Sequence, residues 1–357
     1  MDEKTKIQIY HDAFLQHGGA EKVALSWAEY LDCSIVTLAK KDDFSWTGNK
    51  DIFEKAPYIK NHRMLQLFFP AIPLILKIMK FDEDHLRLVS TTGLAHYFGG
   101  RWNKRIIYMH SPSRWIWNQN EIKRDLSSIT KFIMSALRPF FKKYDLSKIR
   151  DSDILIANSR ATASRILEIY KKEVPVIFPP VTMPKSIPVR PTRVDVNSVF
   201  FLAIGRKKSY KGFDEAIEAC RLASVKLVLV GEGSSEYQSQ NVLGLGFVSV
   251  EELVWLYQNA QALIATGSED FGLTPVEAAL HGCPTLAYPR RGYFDSVRNG
   301  ISGRILTECS IKAMSSAISN FEKSNYSEIN LKNYAAEFSI NSHMEQLLAY
   351  FIDKKIE

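Results

Sequence analysis

A chain of 357 residues, 46% of them hydrophobic and 24% charged, is long enough for two domains with cores of ordinary size. The apolar fraction excludes disorder, and the length excludes a small disulfide scaffold. The net charge of +7 is uneven: residues 1–182 hold 28 Lys and Arg against 20 Asp and Glu, whereas the remainder hold 18 against 19. An anionic ligand or surface is therefore expected on the N-terminal half. Nucleic acid finds no support, because there is no zinc-finger spacing and no run of five basic residues. Cys33, Cys220, Cys283 and Cys309 stand far apart with no C-x-x-C pair, which suits reduced cytosolic thiols better than a disulfide framework or a zinc site. The opening MDEKTKIQIY has early acids and no apolar h-region, so no secretory signal is expected.

Along the chain, short β-branched or apolar runs alternate with helix-like segments. The runs are 6–10, 34–38, 86–90, 105–110, 154–157 and 174–178, then 199–204, 226–230, 262–265 and 284–288. Alternation of this kind predicts an α/β protein of parallel sheets covered by helices on both faces. The divide is expected in 181–197, which holds three prolines and poor helical periodicity. Two doubly wound domains facing a cleft follow, 1–182 and 183–338, with an amphipathic helix over 341–353. Ligands of such sheets bind outside the carboxyl ends of the strands.

The most apolar window, MLQLFFPAIPLILKIM at 64–79, is interrupted by Pro70 and Pro73 and is shorter than the ~20 residues a bilayer span needs. Lys60, Arg63, Lys77 and Lys80 flank or punctuate it. A second segment, KFIMSALRPFFKKY at 131–144, mixes aromatic and basic residues. Both suit a surface that dips into anionic headgroups; the alternative is two core helices with solvated lysines.

Four loops carry residue types suited to sugar and phosphate chemistry. In HDAFLQHGGAEKV, Gly18 and Gly19 follow the first strand and open a helix, letting a phosphate approach the helix N-terminus, although a plain turn explains the pair as well. In YMHSPSRWIW, His110 stands where a strand hands over to its loop, ahead of Arg114, Trp115 and Trp117. A histidine there donates to a sugar hydroxyl or leaving group, and indoles suit sugar faces; the alternative is a histidine satisfied by backbone groups. In AIGRKKSYKGFDEAIEA, Gly205 turns the chain and Arg206 and Lys211 straddle a short loop before a helix that starts near Gly212. Arg binds phosphate oxygens bidentately and Lys adds a mobile point charge, whereas Lys207 and Lys208 read as solvated.

The fourth loop is GSEDFGLTPVEAALHGCP. Glu269 and Glu277 are eight apart, Pro275 marks the first helical position, and Glu277 is expected in the first turn. A carboxylate accepts two hydroxyl hydrogen bonds at once, as ribose or hexose diols require. The amides of Phe271, Gly272, Leu273 and Thr274 would face a phosphate or sugar at the same helix terminus.

At this loop the chain resembles family-four retaining glycosyltransferases. The E-x7-E pattern has an internal F-G-L and a following A-x-x-x-G-x-P. G-G-A-E, H-S-P and G-R…K-G precede it in that family's order, and ILIANSRATASRI with its downstream PPV, and LVLVGEGS, fit as well. H-S-P-S-R-W-I-W with E-D-F-G-L-T-P-V-E further resembles bacterial mannosyltransferases of polysaccharide assembly. The resemblance implies a GT-B fold, with the acceptor on the N-terminal domain, the nucleotide-sugar on the C-terminal one, and residues 339–357 returning to the first. It places Glu277 on the nucleotide ribose, Glu269 on the transferred sugar, Arg206 and Lys211 on the diphosphate, Gly19 near it, and His110 on the donor sugar. One departure is Tyr288-Pro289-Arg290-Arg291-Gly292, where the family often has Gly-Gly and only Gly292 matches.

Three functions compete: a retaining hexosyltransferase, a sugar-nucleotide epimerase or phosphorylase on the same fold, and a non-catalytic sugar-binding subunit. The transferase reading takes a GDP- or UDP-hexose, foremost GDP-mannose, as donor and a lipid-linked saccharide as acceptor. It places the protein in the cytoplasm, peripheral on the inner face of the cell membrane. No cofactor or metal is expected, since Arg206 and Lys211 would neutralise the leaving diphosphate. Asp151-Ser152-Asp153 spells a D-x-D but precedes an apolar run and reads as a strand start, and Asp82-Glu83-Asp84 reads as a solvated turn.

Overall fold

The computed structural model describes residues 7–46, 48, 50–68, 71–78, 86–98, 105–118, 128–182, 186–195, 197–206 and 212–353. The chain forms two compact units, 1–178 with 343–357, and 179–342.

The first unit is built on β1 (Ile7–His11), β2 (Ile35–Thr37), β3 (Ile52–Glu54), β4 (Leu86–Thr91), β5 (Arg105–Met109) and β6 (Ile154–Ala157). Their order is β3-β2-β1-β4-β5-β6, and every pair is parallel. One row of branched side chains crosses the whole sheet in register: Ile52, Ile35, Ile9, Leu88, Ile106 and Ile154. Strand β5, between β4 and β6, is buried along its full length, as a parallel strand covered on both faces should be. The helix Gly19–Leu31 turns Val23, Ala24, Trp27 and Ala28 inward. Trp27 Nε1 donates to His343 Nε2 at 2.9 Å, and His343 Nδ1 lies 2.8 Å from the Phe178 carbonyl. Both ring nitrogens are engaged, which fixes a neutral Nδ1–H imidazole and locks His343 of the last helix into this unit's core.

The second unit contains β7 (Phe200–Ile204), β8 (Lys226–Val230), β9 (Gln238–Ser239), β10 (Val242–Gly244), β11 (Leu263–Ala265), β12 (Thr285–Ala287) and β13 (Gly303–Ile305). The order is β13-β12-β11-β7-β8-β10-β9, parallel except for the edge strand β9. Setting β9 aside, each sheet has the 3-2-1-4-5-6 order of a doubly wound fold, whose ligand crevice lies where the order reverses. That point falls between β1 and β4 in the first unit and between β7 and β11 in the second.

Two expectations are corrected. The run 174–178 is no strand: Val176 makes an isolated bridge to Ala157. The proline-bearing stretch 181–197 does not divide the units where it is described, because it folds onto the second. Val181 N–H donates to the Phe338 carbonyl at 2.8 Å, Val189 N–H to that of Glu251 at 3.1 Å, and Val194 is buried in the apolar core.

Candidate functional site

In the second unit a small recess opens at the reversal point, lined among others by Ile204, Thr266, Gly267, Glu269, Thr274 and Tyr293. Its walls are the carboxyl ends of β7 and β11 and the loops that follow them. Gly205 and Arg206 leave β7 here, and Gly205 N–H donates to the Val230 carbonyl at 3.0 Å. Lys211 lies outside the described residues, as do Lys207 and Lys208. The far end of that loop is pinned by Gly212, which caps the helix Phe213–Leu222 with φ 76°. Thr266 Oγ1 donates to the Gly212 carbonyl at 2.8 Å, and a Cβ on Gly212 would stand 2.6 Å from that hydroxyl, so only glycine fits.

The helix Leu273–Leu280 begins at the recess, with Gly272 as a cap that has no side chain to satisfy the first amides. Pro275 is therefore the third helical residue, not the first, and stays in the turn where a missing N–H costs nothing. Glu277 follows in the second turn rather than the first and is buried. Tyr257 Oη donates to its Oε2 at 3.2 Å. Burial, reinforced by the charge of Glu277, pushes the Tyr257 hydroxyl well above its ordinary range, so it remains a donor. Tyr257 stacks on His281 with centroids 5.9 Å apart and planes at 9°, and burial lowers the His281 pKa against the pull of Glu277. Glu269 and Thr274 thus share the recess wall, and the Phe271 ring packs against Phe338.

A framework missed in the sequence surrounds the recess. Arg290 pairs with both carboxylate oxygens of Glu215 at 3.0 Å and donates to the Thr266 carbonyl at 2.5 Å. It ties the β12 loop to the end of β11 and to the first turn of Phe213–Leu222. Arg291 adopts φ 37°, a left-handed conformation at the position where a glycine was expected. Gly292 is held by close approach, since a Cβ there would stand 2.4 Å from the Phe271 Cα.

In the first unit His110 follows β5 and is buried. Ser90 Oγ lies 2.9 Å from His110 Nε2 and 3.0 Å from His11 Nδ1, joining the carboxyl ends of β1, β4 and β5. Burial lowers the His11 pKa to about 4 despite the adjacent Asp12. Asp12 accepts hydrogen bonds from Thr91 and Thr92 hydroxyls and from the Thr92, Leu94 and Ala95 amides, shaping the loop after β4. Gly18 caps and Gly19 opens the helix Gly19–Leu31, but Glu21 is buried in its first turn with its carboxylate over Gly18. That helix start already holds an anion.

Trp117, expected to face sugar, instead donates to Asp145 at 2.7 Å and carries Lys142 over its ring at 4.9 Å. Asp145 also accepts from His96, Tyr97 and Tyr170 at 2.9, 2.5 and 2.7 Å. Burial opposes its charge, yet these hydrogen bonds hold its carboxyl below the usual range. Asp153 is bound by Arg105 through two contacts of 2.8 Å, and Asp151 by Lys172 at 2.8 Å. The D-x-D pair is engaged in structural ion pairs. Asp82-Glu83-Asp84 lies outside the described residues.

The described residues of 64–79 fall in two short helices, His62–Phe68 and Ile72–Ile78, whose Leu65, Ile72 and Leu76 are buried. Leu67 and Leu74 are 77% and 66% exposed, and on the helix Ser128–Ser147 Phe140 is 58% exposed while Phe141 is buried. Pro70 and Lys80, and the side chains of Pro73, Lys77 and Lys131, lie outside the described residues. Among the described residues no helix is long and apolar enough to cross a membrane.

Residues 189–338 match the family model of glycosyl transferases group 1. Mannosylfructose-phosphate synthase of Agrobacterium fabrum is 25% identical over an alignment of 284 positions that covers 65% of this chain and 62% of that protein. The chain thus spans less than two thirds of that relative. Sucrose-phosphate synthase from Thermosynechococcus elongatus superposes with a TM-score of 0.73 at 15% identity, covering 98% of this chain and 100% of the other. Anabaena HepE in complex with UDP and glucose superposes with a TM-score of 0.66 at 17% identity, covering 97% and 99%. The match to glycosyl transferases group 1 thus lies on residues 189–338, and the two doubly wound parallel-sheet units share the GT-B fold of these structures.

Proposed function

We propose that the protein is a retaining, metal-independent hexosyltransferase that takes its sugar from a nucleoside-diphosphate hexose bound at the β7/β11 recess. The observation that carries this reading is the recess itself, where Glu269, Thr274 and an uncapped helix start converge at the reversal point of a doubly wound sheet. Glu277 takes the ribose hydroxyls, Glu269 the transferred hexose, and the amides of 271–274 the phosphate and sugar oxygens. Arg206 and Lys211 face the diphosphate. In the first unit His110 holds a sugar hydroxyl of the reactants.

The reaction breaks the anomeric C–O bond through an oxocarbenium-like state while negative charge grows on the departing diphosphate. Two cations and a helix N-terminus aimed at that charge stabilise the transition state more than the ground state, and so act on the chemical step. The acceptor attacks on the face that the diphosphate leaves. GDP-mannose is the first choice of donor. UDP-glucose is the second, because a structural neighbour is described in complex with UDP and UDP-glucose. The acceptor is a lipid-linked saccharide, reached at the inner face of the membrane. Leu67, Leu74 and Phe140, with the basic residues of that unit, support a peripheral docking face. The test is release of nucleoside diphosphate from a panel of GDP- and UDP-hexoses, with and without EDTA. Turnover of one donor in EDTA is expected, and no turnover of any donor overturns the proposal.

A further inference from the structure

The helix Phe213–Leu222 starts at the recess: Phe213 and Thr266 both line it, and the chain runs from Arg206 into this helix. Gly212 caps the helix without a side chain, and the first turn carries two acids, Asp214 and Glu215. Acids there suit an isolated helix, because they answer the partial positive charge of its N-terminus. Beside a bound anion they are a liability, since like charges a few ångströms apart repel. Asp214 is engaged by Tyr237, whose hydroxyl donates to its Oδ1 at 3.3 Å. Glu215 is engaged by Arg290, which donates from Nη1 to Oε2 and from Nη2 to Oε1, both at 3.0 Å.

Nη1 of the same guanidinium donates to the Thr266 carbonyl at 2.5 Å, so one planar group bridges the Glu215 carboxylate and the recess wall. Its place is fixed on two more sides. The guanidinium lies over the Tyr288 ring at 4.9 Å, and two residues on, Gly292 N–H donates to the Glu269 carbonyl at 3.1 Å. The side chains are 27% exposed for Arg290 and 35% for Glu215, so water screens the pair and its share of the stability is small. We propose that Arg290 is a positioning residue of the recess: it cancels the Glu215 charge beside a bound diphosphate and holds the Thr266 carbonyl in the wall. The inference rests on the reading that this recess takes a nucleoside diphosphate.

Isothermal titration of the full-length protein with GDP and with UDP separates this role from a merely structural one, because the two differ at Glu215. Arg290→Gln leaves the Glu215 charge uncancelled and should weaken binding roughly 10-fold. Glu215→Gln removes the repelling charge, leaves Arg290 on Thr266, and should bind at least as tightly as the wild type. The double variant should return to within about threefold of the wild type, and so should Arg290→Lys, which keeps the charge. Glu215→Gln as weak as Arg290→Gln would mean that the pair only holds the loops, and would overturn the proposal. Unchanged binding in Arg290→Gln, or a double variant or Arg290→Lys no better than Arg290→Gln, would overturn it as well. Should Arg290→Gln fail to fold, Glu215→Gln still reads the charge. Wild-type protein that binds neither GDP nor UDP would overturn the donor reading and this inference with it; wild-type binding with a contrary variant would overturn this inference alone.

Discussion

The Tyr257 hydroxyl donates to Glu277 Oε2 at 3.2 Å inside the second unit. A carboxylate with one oxygen fixed by a buried phenol has its other oxygen oriented before any ligand arrives. The same contact lets Glu277 remain where burial would disfavour it, because a buried acceptor needs a donor.

Replacing Glu277 with Gln retains shape but exchanges one acceptor oxygen for a donor amide. Donor binding should weaken by about 1.5–3 kcal/mol, the scale of a hydrogen bond to a charged group. Tyr257→Phe should cost about 1 kcal/mol, and combined with Glu277→Gln it should cost less, since the two act through one contact. Calorimetric titration with the nucleoside diphosphate reads all three variants, and additive effects would separate Tyr257 from the site.

Arg206→Ala and Lys211→Ala should each lower kcat by roughly 10²–10³ while changing donor KM less, because charge on the diphosphate is greatest in the transition state. Steady-state kinetics in EDTA provides the check. Near-normal kcat in both, or activity lost in EDTA and restored by Mn²⁺, would remove these two cations from the mechanism.

The alternation of strands and helices was legible in the chain because parallel strands buried on both faces read as unbroken apolar runs, as in Arg105–Met109. The loops were legible for a related reason: glycine, histidine and glutamate stand at strand ends in HSP and in E-x7-E. Two carboxylates were not. Asp145 stands in KKYDL with nothing local to mark it, yet it gathers donors from His96, Tyr97, Trp117 and Tyr170. Asp12 likewise organises amides about 80 positions away. Partners that distant leave no local pattern. The same non-local packing turned Trp117 from a sugar platform onto the edge of the core, and placed Glu277 one turn deeper than the spacing suggested.

Acid should destabilise the first unit through its buried histidines. The His343 pKa is lowered by burial from 6.5 to about 4, and that of His11 to about 4. Between those values the unfolded chain binds more protons than the folded one, so stability rises with pH across the window and is lost as pH falls from 6.5 towards 4. Each group contributes at most about 1.4 kcal/mol per pH unit. Thermal melts at pH 7 and pH 5 should differ, and His343→Gln should flatten the difference. A pH-independent Tm over this range would contradict it.

Membrane docking predicts tighter binding to anionic than to neutral vesicles, weakened by salt because screening removes the electrostatic share. Leu67→Ser, Leu74→Ser and Phe140→Ser, each on a side chain more than half exposed, should reduce binding in co-sedimentation without lowering Tm. Equal, salt-insensitive binding to both vesicle types would exclude the docking face.

The central claim is that the β7/β11 recess binds a nucleoside-diphosphate hexose and that the chain transfers its sugar with retention. The most direct test follows the anomeric proton by NMR while purified protein turns over α-linked GDP-mannose or UDP-glucose with a lipid-linked saccharide in EDTA. The account predicts an α-linked product, nucleoside diphosphate released in equal amount, and a reduction of both signals in Glu277→Gln at donor concentrations that just saturate the wild type. A β-linked product, or turnover undiminished in Glu277→Gln, would contradict it.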